Sequence, residues 1–158
     1  MTKPATTLIG VLSDTHGILR PELLTALANV DHILHAGDVG NPDILTALSS
    51  IAPVTAIRGN IDTHDPCALL PATELLELAG CLIYMVHARE DLDLNPQAAG
   101  IAVVLYGHSH QPSIEHHQGV LYLNPGSAGP RRFNLPITYA LLRIHNGQPR
   151  AEIFPLLP

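Results

Sequence analysis

The stretch His35-Ala36-Gly37-Asp38 closes the apolar run Ile33-Leu34, so a strand ends on a carboxylate directly after a glycine. In open α/β sheets, loops at the C-terminal strand edge converge on one crevice, and an acid there is placed for a site. Four more short motifs end apolar runs in the same manner: Ser13-Asp14-Thr15-His16, Arg58-Gly59-Asn60, Val86-His87 and Gly107-His108-Ser109-His110. Carboxylates, an amide and imidazoles together make the ligand set of divalent metals of intermediate hardness. Asp38 is expected at the centre, bridging two such ions, with the other motifs around it.

Working outward, Leu8-Ile9-Gly10-Val11-Leu12 reads as a strand covered on both faces. Pro21-Glu22 opens a helix with an apolar stripe of Leu23, Leu24, Leu27 and Ala28. A second strand is expected over residues 31–35. Asn41-Pro42-Asp43 then caps a second helix, with Ile44, Leu45 and Leu48 facing inward. A third strand over 54–58 completes an alternation that implies parallel pairing through right-handed crossovers. Beyond it, 73–79 and 81–86 read as a hairpin split by Gly80, and Pro96 leaves only a weak helix within 91–99. Residues 101–106 form another buried strand. Candidates at 113–117, 120–123, 137–144 and 150–155, with turns at Gln118-Gly119 and Asn146-Gly147, suggest an antiparallel meander. Two sheets packed face to face with helices outside, in one domain spanning residues 1–158, is the expected architecture.

Composition narrows the class. A chain of 158 residues with 46% apolar and 14% charged residues reads as globular. A net charge of −6 argues against stable nucleic-acid binding through a broad basic surface. Neither a signal peptide nor a membrane span is expected, and Cys67 and Cys81 read as free thiols of a cytoplasmic protein. Ten histidines are unusual beside fourteen acidic residues, and several sit by glycines at the ends of apolar runs.

The spacing carries chemistry. Asp14 and His16, like His108 and His110, are two residues apart, which places both side chains on one side of an extended loop. Asp38 has two oxygens and can offer one to each ion, and Asn60 adds a carbonyl oxygen without charge. Asp14, His16, Asp38, Asn60, His87, His108 and His110 form the candidate metal set, with Asp38, Asn60 and His108 as candidate catalytic residues. Two ions about 3.5–4 Å apart would clamp the attacking and leaving oxygens of a phosphoester, with a metal-bound hydroxide as nucleophile. Manganese is the expected metal, and the same ligands admit iron, zinc, nickel or cobalt.

In this order, D-x-H, G-D, G-N, H and G-H-x-H resemble the signature of the calcineurin-like metallophosphoesterase superfamily. The chain length, Asn124-Pro125-Gly126-Ser127 and the following Arg131-Arg132 resemble its small single-domain phosphodiesterases. The resemblance implies a four-layer α-β-β-α sandwich. It also implies that Asp14, His16, Asp38 and His110 hold one metal, and Asp38, Asn60, His87 and His108 the other. Larger phosphatases of the superfamily place a leaving-group-protonating histidine right after the G-N asparagine, where this chain has Ile61. Diesters with good leaving groups are therefore expected over monoesters, with His64 as the substitute acid to consider. Ala88 is a second departure, standing where related sequences have glycine.

Plainer readings exist for several of these residues. Asp14 and Asp38 could cap helices, His87 could be a core histidine, and Arg131-Arg132 could be a solvated turn or a phosphate contact. His35 reads as a support behind the ligands, and His32, His116, His117 and His145 as surface residues. The leading function is a metal-dependent phosphodiesterase acting on a small phosphoester. The alternatives are a non-catalytic interaction scaffold of the same fold, as in the retromer subunit, and a phosphomonoesterase. A homodimer through a sheet edge or apolar face is open.

Overall fold

The computed structural model describes residues 6–157. Strand β1 (Thr7–Leu12) sends Ile9 and Val11 to one side and Leu8 and Leu12 to the other, and both sides are covered. β1 pairs in parallel with β2 (His32–His35), and β2 with β3 (Val54–Ala56), as the strand-helix alternation predicts. The two crossovers carry α1 (Pro21–Ala26) and α2 (Pro42–Ser49). Asn41 caps α2, its side-chain oxygen accepting the Asp43 amide at 2.9 Å. Leu23, Leu27 and Leu48 bury against Leu12 and Ile33 of the first sheet.

The second sheet has β4 (Thr73–Leu78), β5 (Cys81–Val86), β6 (Val103–Leu105), β7 (Ser113–His117) and β8 (Val120–Asn124) in the order β4-β5-β6-β8-β7. The β4–β5 turn has two residues, not one. Ala79 joins Gly80 in the left-handed region, the conformation that follows the twist of a tight hairpin. The last four strands do not form one meander. β7 and β8 complete the second sheet, whereas β9 (Thr138–His145) and β10 (Gln148–Pro155) return to the first, giving β10-β9-β1-β2-β3. Turn signals specify each hairpin locally, but which sheet receives it depends on distant pairing, here β9 against β1 and β8 against β6.

Ile9, Val11, Leu34 and Ile57 meet Ile83, Met85, Leu105 and Leu123 between the sheets. The result is a sandwich of two mixed five-stranded sheets flanked by helices. The outer layer over the second sheet is thin: among the described residues it has no α-helix, only a 3-10 turn at Arg89–Asp91 and the turns that follow. Pro96 accounts for that absence. Among the described residues, no helix is long and apolar enough to cross a membrane. The C-terminal ends of β1, β2 and β3 on one sheet, and of β5, β6 and β8 on the other, open to the same side and deliver the loops of the site.

Candidate metal centre

Each loop leaves its strand abruptly. Asp14, His16, Asp38, His108 and His110 all have φ between 46° and 71°, a left-handed backbone that non-glycine residues adopt rarely and that concentrates at functional sites. The Asp14/His16 and His108/His110 loops are therefore wound rather than extended. The two pairs behave differently as a result. Asp14 and His16 stay together, with His16 Nε2 3.7 Å from Asp14 Oδ1. His108 and His110 part, His110 Nε2 lying 3.5 Å from Asp14 Oδ1 and His108 Nδ1 3.2 Å from Asn60 Oδ1.

The carboxylates are oriented oxygen by oxygen. Asp14 Oδ2 accepts the Ser13 hydroxyl at 2.7 Å and the His108 amide at 3.1 Å. Asp38 Oδ1 accepts the Ile61 amide at 3.0 Å. One oxygen of each thus faces the centre. Asp38 Oδ2 lies 3.4 Å from His16 Nε2 and 3.3 Å from His87 Nε2, so a single oxygen stands between the imidazoles of two sides. This differs from the expectation of one oxygen per ion, because a backbone donor has already taken the other. Asp14 Oδ1 is shared as well, being 3.8 Å from His87 Nε2. Two groups result, Asp14-His16-His110 and Asp14-Asp38-His87, with Asn60 and His108 beside the second.

Several of these atoms lack a partner. Asp14 Oδ1, His16 Nε2 and both ring nitrogens of His110 are buried without a hydrogen bond. Such atoms are costly in a folded protein, and their convergence suits a cation. His87 donates from Nδ1 to the Ala36 carbonyl at 2.7 Å, which turns the Nε2 lone pair toward Asp38 Oδ2 and Asn60 Oδ1, the latter 3.1 Å away. Without metal, the acceptors around His87 favour its protonated form. Burial pulls its pKa down, but the Asp38 carboxylate and the Ala36 carbonyl outweigh burial and raise it above the ordinary value. For Asp14, burial works upward and is overcome by His110, His16 and His87, leaving its pKa well below the usual carboxylate range. Asp38 is lowered too, with burial outweighed by His87 and the Ile61 amide.

A supporting shell holds these loops. Asp62, whose spacing gave no signal, is buried and accepts the amides of Val39 (3.1 Å), Gly40 (3.0 Å) and Gly59 (2.9 Å). It joins the Asp38 loop to the Asn60 loop. His35 stands behind the ligands as expected, its Nδ1 accepting the Gly37 amide and its Nε2 bonded to Thr15 Oγ1 at 3.0 Å. Asn124 donates to the Gly107 carbonyl and to Ser109 Oγ, so the Asn124-Pro125-Gly126 turn braces the His108 loop. Gly59 and Gly107 permit contact, since a Cβ at either would lie 2.1 Å from Asp38 Oδ1 or Ser13 Oγ respectively.

A cleft of about 460 Å³ opens beside Asn60, His87 and His108. Arg131 and Arg132 do not line it, and Arg131 donates to the Leu135 carbonyl at 3.4 Å. His64 is bonded to Thr63 and lines a separate small cleft with Asp62 and Asp65. His116, His117 and His145 are exposed, whereas His32 is half-buried against Thr55 Oγ1 at 3.0 Å.

Residues 8–147 match the family model of the calcineurin-like phosphoesterase superfamily domain. A probable metallophosphoesterase of Methanothermobacter thermautotrophicus is 37% identical over 158 aligned positions, covering 92% of this chain and 91% of its own. A phosphodiesterase of Methanocaldococcus jannaschii is 26% identical over 138 positions, 75% of this chain and 82% of its own. Vacuolar Protein Sorting 29 from Cryptosporidium parvum superposes with a TM-score of 0.77 at 17% identity, covering 94% of this chain and 97% of that one, a likeness of fold alone.

Proposed function

Because the chain belongs to the calcineurin-like phosphoesterase superfamily, we propose that it hydrolyses small phosphodiesters with two divalent metal ions, manganese foremost. The observation that carries this reading is the set of buried, unpartnered ligand atoms on Asp14, His16 and His110 beside the Asp38-His87 group. In the reading, Asp14, His16, Asp38 and His110 hold one ion, and Asp38, Asn60, His87 and His108 the other. Bound there, the pair supplies Lewis acidity to the phosphoryl oxygens and lowers the pKa of water. Asp38 would serve both ions, its Oδ2 facing His16 and His87 while the Ile61 amide holds Oδ1 still. Asn60 contributes oxygen without charge, leaving its side of the centre more electrophilic than a carboxylate would. His108, on the cleft lining, orients the ester.

Ile61 follows Asn60, so no imidazole waits there for the departing alkoxide. That favours diesters with good leaving groups, in keeping with the activity named for the Methanocaldococcus jannaschii relative. The unpartnered buried ligand atoms favour a metal-dependent enzyme over a scaffold of this fold. A cytoplasmic setting belongs to the same reading, consistent with the free thiols of Cys67 and Cys81. The test is hydrolysis of bis-p-nitrophenyl phosphate against p-nitrophenyl phosphate, on metal-stripped protein and after added Mn²⁺. Strong Mn²⁺-dependent diester cleavage, lost in Asp38→Ala, is expected. Monoester preference would replace the diesterase with a phosphatase, and silence toward both with two ions bound would favour the scaffold.

A further inference from the structure

The segment just after His87 is held from outside the site. The Arg89 guanidinium pairs with Glu115 of β7 through Nη1, which also lies 3.4 Å from the Tyr106 hydroxyl. It also stacks over the Tyr122 ring of β8, 4.6 Å from its centroid. His117 extends the group, with Nε2 3.4 Å from Glu115 and its ring edge-on to Tyr122 at 5.4 Å. These partners belong to the outer face of the second sheet, and the centre uses none of them. Arg89 begins the 3-10 turn Arg89–Asp91, and the next two residues, Glu90 and Asp91, line the cleft beside His87 and His108. The cleft's other walls include Ala72, Val86 and Ala88, small apolar residues against which an uncharged group can pack. Arg58 stands at the margin, one donor already given to the Leu70 carbonyl.

We infer that Arg89 is a positioning residue for substrate choice: its anchorage to Glu115, Tyr106 and Tyr122 sets the wall of the cleft that receives one bulky, uncharged arm of the diester. This rests on the phosphodiesterase reading above. Three contacts of different kinds meet on one guanidinium, whose planar fork and flat face suit hydrogen bonding and stacking together. Releasing it frees the turn that carries Glu90 and Asp91, while Ala36 still holds His87 through Nδ1. The consequence falls on the arm in the cleft rather than on the phosphoryl centre.

The variants are Arg89→Met, which keeps the stem, Arg89→Lys, which keeps the charge without the fork, and Glu115→Gln. Their substrates are bis-p-nitrophenyl phosphate and methyl p-nitrophenyl phosphate, with Mn²⁺ present. For Arg89→Met, KM for the bulky diester is expected to rise about fivefold or more with kcat within about twofold, and KM for the methyl diester to change less than twofold. Arg89→Lys and Glu115→Gln fall between. A binding measurement separates this inference from the activity: calorimetric titration of Mn²⁺-loaded protein with phenyl phosphate and methyl phosphate, whose affinity ratio narrows in Arg89→Met. A narrowed ratio without turnover in the wild type sinks the phosphodiesterase and keeps the clamp. An unchanged ratio, or equal kcat losses on both diesters, overturns the clamp whatever the thermal stability of the variants.

Discussion

Asp62 shows how much one buried carboxylate can organise. It accepts three backbone amides from two loops. Asp62→Ala leaves those donors unmet and is expected to cost roughly 2–4 kcal/mol, with Asp62→Asn retaining part of it. Urea unfolding measures this, and a loss below about 1 kcal/mol would mean that water replaces the carboxylate. His35 offers a test through pH. Burial, partly offset by Asp14 and Asp62, brings its pKa from the ordinary 6.5 down to about 4. Protonating Nδ1 would also break its bond from the Gly37 amide. Between those values the unfolded chain binds a proton that the folded chain refuses. Stability therefore falls as pH drops from 6.5 to 4, by about 3 kcal/mol in all, and is retained above that window. Comparing the metal-free protein with His35→Gln at pH 7 and pH 4.5 reads the term, and equal slopes would assign the proton uptake to other groups.

At the scale of elements, the site depends on how closely strand-end loops approach one another. Gly107 ends the apolar run of β6 against the end of β1, where a methyl group would sit 2.1 Å from Ser13 Oγ and 2.6 Å from Asp14 Oδ2. Gly107→Ala forces the hydroxyl from its bond to Asp14 and turns the carboxylate. The expected result is destabilisation of about 1–3 kcal/mol and a loss of Mn²⁺ affinity of about tenfold or more. Calorimetric Mn²⁺ titration checks it; unaltered affinity would show that Asp14 does not need its serine support. The sequence placed the glycines beside the ligands, but the atoms they make room for come from other strands. Only the packing of one sheet on the other, which brings the end of β6 to the end of β1, identifies Ser13 as the neighbour of Gly107.

For the whole molecule, a cation held by the unpartnered buried atoms of Asp14, His16 and His110 would add to stability. Mn²⁺ at a hundred times its dissociation constant contributes about 2.7 kcal/mol, raising Tm by roughly 5–10 °C over chelated protein. Thermal scans with chelator, Mn²⁺, Zn²⁺ and Ni²⁺ measure this, and identical Tm values throughout would count against a metal centre. Much of the architecture was legible because its signals are local: β1, β2, α2 and β5 follow from apolar runs, caps and glycines at their own ends. The chain order of aspartate, asparagine and histidine at those ends likewise determined the candidate ligands. Tertiary structure alone decided the return of β9 and β10 to the first sheet, since pairing partners are not encoded next to the strands that need them. It decided, too, that Asp38 turns one oxygen rather than two toward its neighbours, because the Ile61 amide reaches the other from a separate loop. His108 and His110 part for a related reason: left-handed backbone at both positions, braced by Asn124, aims adjacent imidazoles at different groups.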